Sequence, residues 1–184
     1  MQLILASNSP RRRELLGQEG VPFTVEPSYF EEIGEGLSAK ETVLCFAEGK
    51  AKEVFSRYPQ AFVLGADTVV CLDGEILGKP KDEEAARDML RSLSGRTHSV
   101  FTGVCLVGEG VFFSDVVETK VVFNRLSEEL IEEYVKSGSP LDKAGAYGIQ
   151  DGYPLVERFE GSYTNVVGFP MELVRAFLRK AHLC

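Results

Sequence analysis

Short apolar runs alternate with helically spaced apolar positions along the chain, a pattern that predicts alternating strands and helices. Residues 3–6 form a short apolar run, typical of a buried strand, that leads directly into the Ser-Asn-Ser-Pro segment 7–10. Polar capping residues followed by proline predict the start of a helix. The run 62–72 is rich in β-branched residues and ends at Asp73-Gly74, so it predicts a strand followed by a hairpin turn.

Capping residues predict the remaining helices. Ser38 stands three residues before Glu41, a capping-box pattern that opens a long helix over residues 39–58. Further helices are expected after Asp82, after Ser127 and from Pro170, strands at 99–107 and 111–123, and a hairpin around Glu160-Gly161. Because strands and helices interleave without a linker or repeat, we expect a single α/β domain over residues 1–184, built on a mixed sheet flanked by helices.

The charge balance restricts the partners of the protein. The chain has 28 acidic against 20 basic side chains, which gives a net charge of −8 over 184 residues. Such a surface repels a phosphate backbone or an anionic membrane on average, so we expect no nucleic-acid polymer and no membrane as a partner. The same balance permits a small anion that is held by a local cluster of cations.

Cysteine usage and the start of the chain indicate a reducing compartment. The four cysteines show no CxxC spacing and only two histidines are available to join them, so neither a zinc site nor a disulfide framework is expected. The chain starts with MQLILASNSPRRR, in which positive charges follow a very short apolar run, the reverse of a secretory signal. No run of about 18 apolar residues is present. We therefore expect a cytoplasmic protein.

The first candidate for chemistry is a triplet of arginines, Arg11, Arg12 and Arg13, in the first turn of the first predicted helix. The positive end of the helix dipole disfavours cations there by roughly 0.3–1 kcal/mol each, so a bound anion would explain the placement. Two interpretations stay open. The turn is either a phosphate site made by backbone amides and guanidinium groups, or a solvated basic turn paired with Glu14 or another nearby acid.

Two charged residues fall at apolar positions. Asp67 lies in the run FVLGADTVV, where an unpaired carboxylate is costly, so we expect it at a strand end, beside a cation or on a metal ion. Gly65, two residues earlier, lets a ligand or another backbone come close. Lys50 lies four residues from both Phe46 and Val54 in the apolar stripe of the long helix, where it either snorkels along the stripe or directs its ammonium into a cleft.

Predicted loops supply the other candidates. Lys79 lies in GKPK, a rigid loop that presents a cation either to a phosphate or to solvent. Glu31 and Glu32 are either solvated or furnish metal oxygens alongside Asp67, because Mg²⁺ takes one or two carboxylates plus substrate phosphate oxygens. Gln150, in a glycine-containing loop, offers a donor and an acceptor suited to a nucleobase edge. No GxxxxGK[ST] or GxGxxG motif is present, which disfavours the common forms of ATP hydrolysis and dinucleotide binding.

The cations, the lone carboxylate and the amide-bearing loop together indicate a nucleotide site, and at these residues the chain resembles a known family. Five segments are similar in order and spacing to the Maf family of nucleoside triphosphate pyrophosphatases: SNSPRRRELL, GADTVV, GEILGKP, LSGRTHSVFTG and PLDKAGAYGIQ. The resemblance implies an elongated α/β fold with two lobes around a central cleft, like that of the inosine triphosphate pyrophosphatases. It also implies hydrolysis of a nucleoside triphosphate to the monophosphate and pyrophosphate, dependent on Mg²⁺ or Mn²⁺.

The resemblance implies a role for each matching residue. The family's catalytic aspartate falls on Asp67 and its cleft lysines fall on Lys50 and Lys79. Glu32 best matches an acidic residue that holds metal or water, so the implied metal ligands are Asp67 and Glu32. The implied substrate-binding residues are Ser7, Arg11, Arg12, Arg13, Thr68 and Gln150. Among them, Arg12, Thr68 and Gln150 are the residues that the resemblance implies for substrate specificity.

The motif variants point to one branch of the family. GADT and AGAYGIQ are similar to the subgroup that acts on dTTP and UTP, whereas the subgroup that acts on 7-methyl-GTP has GSDQ. Two alternatives stay open: modified pyrimidine nucleotides as the substrate, and a nucleotide-binding regulator of cell division or septum formation with little turnover. The expected partner is therefore a nucleoside triphosphate, and the oligomeric state is open, with a homodimer among the options.

Overall fold

A mixed sheet of seven strands runs through the computed structural model, which describes residues 1–184. The strands are β1 (Leu3–Leu5), β2 (Thr24–Val25), β3 (Phe62–Leu72), β4 (Glu75–Leu77), β5 (Thr97–Gly108), β6 (Val111–Phe123) and β7 (Val156–Glu160). Helices flank the sheet: α1 (Pro10–Gly17), α2 (Ala39–Arg57), α3 (Glu83–Leu93), α4 (Glu128–Lys136), α5 (Tyr163–Val167) and α6 (Met171–Lys180). Short 3₁₀ turns cover Ser139–Asp142, Ala144–Ala146 and Ile149–Asp151.

The long strand β3 connects the two kinds of pairing in the sheet. The strand order is β2-β1-β3-β5-β6-β7, and the short β4 pairs with the end of β3. Strand β1 pairs parallel with β2 and β3, and every other pair is antiparallel. The mixed α/β sheet predicted from the apolar pattern is therefore confirmed. None of the six helices has the length and apolar character needed to cross a membrane.

Hydrogen bonds at the helix ends confirm the predicted starts. Ser9 Oγ accepts from the backbone N–H of Arg12 at 3.3 Å, and Pro10 occupies the first helical position of α1. The capping box of α2 is complete, because Ser38 Oγ accepts from Glu41 N while the Glu41 carboxylate accepts from Ser38 N. Each cap satisfies an amide that lacks a partner inside the helix, and so determines where the helix begins.

Helix α2 touches the backbone of β3 and β5 because glycines face it. A Cβ atom at Gly65 would come within 2.5 Å of the Ala47 carbonyl oxygen, and one at Gly103 within 2.3 Å of the Val43 carbonyl oxygen. Of the two interpretations of Gly65, the close approach of another backbone is the one that the structure confirms. The same contact sets the distance between β3 and the helix that carries Lys50.

Four apolar clusters include residues of β3, and two of them lie on either side of Asp67 along the strand. Leu64 and Ala66 belong to a core shared with β1 and α6, whereas Val70 and Leu72 belong to a second core shared with α3 and α4. Asp67 lies between these two pairs in the strand. The expected two lobes around a central cleft are therefore confirmed, and the gap between the cores is what allows a carboxylate inside an otherwise apolar strand.

The hairpin predicted around Glu160-Gly161 is wrong. The segment before this turn forms β7, the edge strand of the sheet on β6, but the helix α5 follows it instead of a second strand. Ser162 Oγ caps α5 by accepting from Asn165 N, and the buried Asn165 amide donates to Thr119 Oγ1 at 2.9 Å. This anchor between distant elements leaves no local signal in the sequence, so the pattern alone favoured the hairpin.

Candidate active site

A cleft of about 420 Å³ opens between the two lobes. Its walls come from the start of α1, one face of α2, the middle of β3, the 3₁₀ turns and the end of α5. Most of the predicted site residues line it: Arg11, Arg12, Glu32, Lys50, Asp67, Thr68, Lys79 and Gln150. Ser7 lies in an adjoining depression that Arg11, Arg12, Lys50 and Lys79 share. Arg13 lies outside both, in a separate depression beside Phe23.

One ammonium group joins two carboxylates in the cleft. Lys50 Nζ lies 2.9 Å from Asp67 Oδ1 and 2.6 Å from Glu32 Oε1. Asp67 is only 9% exposed, and the Lys50 side chain is 17% exposed. Lys50 therefore directs its ammonium into the cleft instead of snorkelling to solvent. Asp67 lies within β3 and not at its end, so pairing with a cation is how this strand accommodates the charge.

The environment of Asp67 makes its carboxylate a better base. Burial raises the pKa of the Asp67 carboxyl above its ordinary value, and the charges of Lys50 and Arg12 offset part of that rise. Glu32 adds a smaller upward effect, because a second negative charge disfavours ionisation. A carboxyl group perturbed by burial and by specific charged neighbours in a cleft is typical of a catalytic acid or base.

Arg12 is held in place by three oxygen atoms from different parts of the chain. Its Nε donates to the Gly168 carbonyl oxygen at 2.8 Å, Nη2 donates to Thr68 Oγ1 at 3.0 Å, and Nη1 donates to Ser7 Oγ at 3.4 Å. Thr68 Oγ1 also lies 2.8 Å from Thr102 Oγ1. The Thr68 hydroxyl therefore belongs to the hydrogen-bond network that holds Arg12, and Ser7 acts on the cleft by orienting this guanidinium.

Three other predicted residues present polar groups at the edge of the cleft. Arg11 forms an ion pair with Asp142, with Nη1 3.2 Å from Oδ2, which connects α1 to the first 3₁₀ turn across the cleft. Lys79 and Gln150 are both exposed, and their side chains form no hydrogen bond within the protein. Their donors and acceptors are therefore available to a ligand.

Sequence reasoning missed one buried cation in the cleft wall, Lys143. Its side chain is 10% exposed, and Nζ donates to the Ser139 carbonyl oxygen at 2.6 Å and to Asp142 Oδ1 at 3.1 Å. The signal that was present is a lysine that follows Asp142 and precedes a run of small and apolar residues in the segment PLDKAGAYG. The aliphatic part of such a lysine side chain is expected to pack against the apolar surface of the protein.

The number of carboxylates in the cleft limits how many protein ligands a metal ion could have there. No group of three or more His, Cys, Asp or Glu side chains is arranged to hold a metal ion. Asp67 and Glu32 nevertheless converge on one cationic centre, the Lys50 ammonium. Two carboxylates match the way Mg²⁺ binds in phosphate-processing sites, since that ion keeps water and substrate oxygens in the rest of its shell.

Comparison with known proteins identifies the family. The model of Maf-like proteins matches residues 2–181. The chain belongs to the Maf family. A dTTP/UTP pyrophosphatase of Pyrococcus abyssi is 51% identical to it, over 94% of this chain and 92% of the relative. A dTTP/UTP pyrophosphatase of Koribacter versatilis is 46% identical over 98% of this chain and 95% of the relative. One from Bacillus velezensis is 45% identical, over 99% and 97% of the two chains.

A solved structure gives an independent view of the fold. The Staphylococcus aureus Ham1 protein superposes with a TM-score of 0.52 at 17% identity, covering 98% of this chain and 100% of that one. At this identity the likeness concerns the fold alone, and it agrees with the sheet and the two lobes described above. The resemblance to the Maf family inferred from five short motifs is thus confirmed across nearly the whole chain.

Proposed function

We propose that this Maf protein is a nucleoside triphosphate pyrophosphatase that hydrolyses dTTP and UTP to the monophosphate and pyrophosphate. The observation that carries the proposal is the buried Asp67 carboxylate on Lys50, in a cleft whose other charged groups are mainly cations. Relatives that match over more than nine-tenths of both chains are named for this activity. The enzyme class fits the site because a polyphosphate must be neutralised before water attacks it.

The cations of the cleft are placed to hold the triphosphate. Arg11, Lys50 and Lys79 surround the depression at the start of α1, where the positive end of the helix dipole favours an anion. The exposed Lys79 has no partner in the protein, so it is free to bind a phosphate oxygen. Fixed cations that meet the charge developing on the phosphoryl oxygens stabilise the transition state more than water does.

Asp67 receives the proton of the attacking water in this proposal. Its Oδ1 is bonded to Lys50, which leaves Oδ2 as the acceptor. Water forms a bond to the α phosphorus, its proton passes to Asp67 Oδ2, and the bond from the α phosphorus to the bridging oxygen breaks. Pyrophosphate leaves with the electron pair of that bond, and its charge is met by Arg11 and Lys79.

Asp67 and Glu32 are the residues that would hold Mg²⁺ or Mn²⁺. Asp67 would do so through Oδ1, whose second lone pair Lys50 does not use, so that Oδ2 stays available to the proton of the water. The oxygens of both carboxylates already surround a single cation, and both ions accept carboxylate and phosphate oxygens as ligands. When bound, the divalent ion withdraws electron density from the phosphoryl oxygens and adds positive charge near the bond that breaks. Lys50 shares both carboxylates, so it orients them for the metal and limits the repulsion between them.

Gln150 and Thr68 are proposed to recognise the base. The Gln150 amide offers both a donor and an acceptor and has no partner in the protein, which suits the edge of a pyrimidine. Thr68 is fixed by Arg12 and Thr102, so its hydroxyl is presented in one position. A site that binds the substrate edge through positioned polar groups disfavours an edge with the opposite pattern, because donors then face donors and acceptors face acceptors.

A product analysis tests the proposal. The protein is incubated with dTTP, UTP, CTP, ATP and GTP in the presence of Mg²⁺ or Mn²⁺, and the products are separated by anion exchange. We expect UMP and pyrophosphate from UTP, dTMP and pyrophosphate from dTTP, and no turnover after chelation of the metal. UDP with orthophosphate would contradict the assigned bond, and tight UTP binding without product would favour a nucleotide-binding regulator.

The same assay separates canonical from modified substrates. Values of kcat/KM for UTP and dTTP are compared with those for 5-modified pyrimidine triphosphates in one series. Comparable or higher values for UTP and dTTP are expected under the proposal. A 5-modified nucleotide that exceeds both by a factor of about 100 or more would move the physiological assignment to modified nucleotides.

A further inference from the structure

A buried lysine organises the loop that carries Gln150. Lys143 Nζ donates to the Ser139 carbonyl oxygen and to Asp142, as described above, and it also lies 3.5 Å from Asp151 Oδ2. The side chains of Lys143 and Asp151 are 10% and 14% exposed. An ion pair with so little solvent contact persists only when its geometry is well satisfied, so the loop from 139 to 151 is closed on itself by this lysine.

A tyrosine from helix α4 completes the contacts of Asp151. The Tyr134 hydroxyl donates to Asp151 Oδ2 at 2.6 Å and accepts from the backbone N–H of Gly148 at 2.9 Å. Burial raises the pKa of Tyr134, so the hydroxyl keeps its proton and remains the donor to Asp151. Tyr134 is itself completely buried in the core of its lobe. The loop is therefore tied to a rigid helix at two points.

Gly148 fits this arrangement because no side chain has room there. A Cβ atom at Gly148 would lie 2.8 Å from Lys143 Cε and 2.9 Å from Asp151 Oδ2. The lysine stem thus packs directly against the backbone at Gly148. Gln150 lies between Gly148 and Asp151, both of which are held, while its own side chain is exposed and unbonded.

We propose that Lys143, Asp151 and Tyr134 form a brace that fixes the Gln150 turn, and that they are positioning residues for selection of the base. The proposal rests on the proposed nucleotide function. Uracil and cytosine present opposite donor and acceptor patterns at their distinguishing edge, and an amide separates them only when its position and orientation are restricted, which requires that the backbone carrying it be held. The brace touches neither the phosphates nor the reacting atoms, so its effect is on binding and discrimination and not on the chemical step.

The brace also reaches the phosphate side of the cleft. Asp142 accepts from Lys143 through Oδ1 and pairs with Arg11 through Oδ2. A single carboxylate thus connects the turn that carries Gln150 to the helix start proposed to bind the triphosphate. The whole substrate, and not the base alone, therefore needs the loop in this arrangement, which predicts an effect on KM.

A double-mutant cycle tests the brace. Lys143→Met keeps the stem and removes the charge, and it is compared with Gln150→Ala and with the double variant. We expect Lys143→Met to raise KM for UTP about tenfold, to change kcat by less than about twofold, and to lower the ratio of kcat/KM for UTP over CTP. Because the brace acts on the base through Gln150, the double variant is expected to have the same ratio of kcat/KM for UTP over CTP as Gln150→Ala alone. Additive losses in that ratio, or an unchanged KM in Lys143→Met, would overturn the proposal.

Two further variants separate positioning from folding. Tyr134→Phe removes one hydroxyl and is expected to shift KM and the UTP preference in the same direction as Lys143→Met, with the protein still folded by circular dichroism. Lys136→Met, at a lysine of α4 whose side chain is 72% exposed, is the matched control and should behave as the unmodified protein. A Tyr134→Phe protein that folds but keeps the full UTP preference would contradict the brace.

Binding and amide exchange distinguish failure of the brace from failure of the proposed function. Absence of UMP from the unmodified protein refutes the enzyme activity, whatever the variants do. Binding of α,β-methylene-UTP with Mg²⁺ and hydrogen exchange at the Gly148 amide then still report on the brace, since neither needs turnover. We expect Lys143→Met and Tyr134→Phe to weaken that binding and to speed exchange at Gly148. Unchanged binding and exchange in both variants would refute the brace itself.

Discussion

The ammonium of Lys50 lies 2.9 Å from Asp67 Oδ1, although the two residues are 17 positions apart and lie on different elements. The helix reaches the strand this closely because Gly65 has no side chain to keep the backbones apart. The charge that the apolar strand carries is thereby compensated from the helix. The same pairing leaves one oxygen of Asp67 for a substrate water, so the stability of the strand and the proposed chemistry depend on one contact.

Replacing Asp67 by asparagine tests its role as the base. Asp67→Asn keeps the size of the side chain and the contact with Lys50 but cannot accept a proton, so kcat for UTP is expected to fall by a factor of about 100 to 10,000. Binding of α,β-methylene-UTP should change much less. Asp88→Asn, at an exposed position of α3, is the control. Turnover of Asp67→Asn near that of the unmodified protein would remove the proposed role.

The arginine triplet makes a prediction about two adjacent residues. Arg12 holds Thr68 and Gly168 inside the cleft, whereas Arg13 is exposed and lies outside it. We expect Arg12→Met to lower kcat/KM for UTP about 10- to 100-fold, because it removes charge-assisted hydrogen bonds. Arg13→Met is the matched control and should stay within about twofold. Equal losses in both variants would mean that the triplet acts as a diffuse basic patch.

Gly65→Ala tests the packing that brings Lys50 to Asp67. The new methyl would lie within 2.5 Å of the Ala47 carbonyl oxygen, so α2 must move away from β3. We expect a loss of about 2 kcal/mol or more in the free energy of unfolding, measured by urea denaturation, together with reduced turnover. Gly17→Ala is the control, since nothing lies within 4 Å of a Cβ there. Gly65→Ala with unmodified stability would show that the helix and strand are farther apart than the structure places them.

The pH dependence of stability follows from a buried histidine. His98 is 3% exposed beside Phe123, with Nε2 2.7 Å from the Tyr147 hydroxyl, and burial lowers the pKa of His98 to about 4. The unfolded chain binds a proton at His98 below about pH 6.5, where the folded protein does not. The stabilisation is therefore complete above about pH 6.5 and is lost as the pH falls towards 4.

His98→Gln tests this linkage, because an amide keeps a polar group beside Tyr147 but does not titrate. Between pH 7 and pH 5 we expect the unmodified protein to lose about 2 kcal/mol of unfolding free energy through His98 alone. In urea titrations over the same interval, the unfolding free energy of His98→Gln should fall by about 2 kcal/mol less than that of the unmodified protein. His182→Gln, at the exposed second histidine, controls for removal of an imidazole. The same pH slope in His98→Gln and in the unmodified protein would contradict the burial argument.

Local sequence determined most of the secondary structure and pointed to most of the site. Caps such as Ser38 and the Asp73-Gly74 turn act over three or four residues, and an apolar run identifies a buried strand without reference to the rest of the chain. Asp67 and Lys50 stood out for a related reason, since charge at an apolar position requires compensation. The five motifs indicate the Maf family without reference to tertiary structure, and the family match over residues 2–181 agrees with them.

Tertiary structure alone decided which groups meet. The partner of Lys50, the exclusion of Arg13 from the cleft, the brace around Lys143 and the helix that replaces the Glu160-Gly161 hairpin all depend on contacts between elements distant in the chain. Such contacts depend on where the helices lie on the sheet, which is set by side-chain volume summed over the two cores and by single close approaches such as Gly65. A linear pattern records that a residue needs a partner, but packing in three dimensions selects the partner.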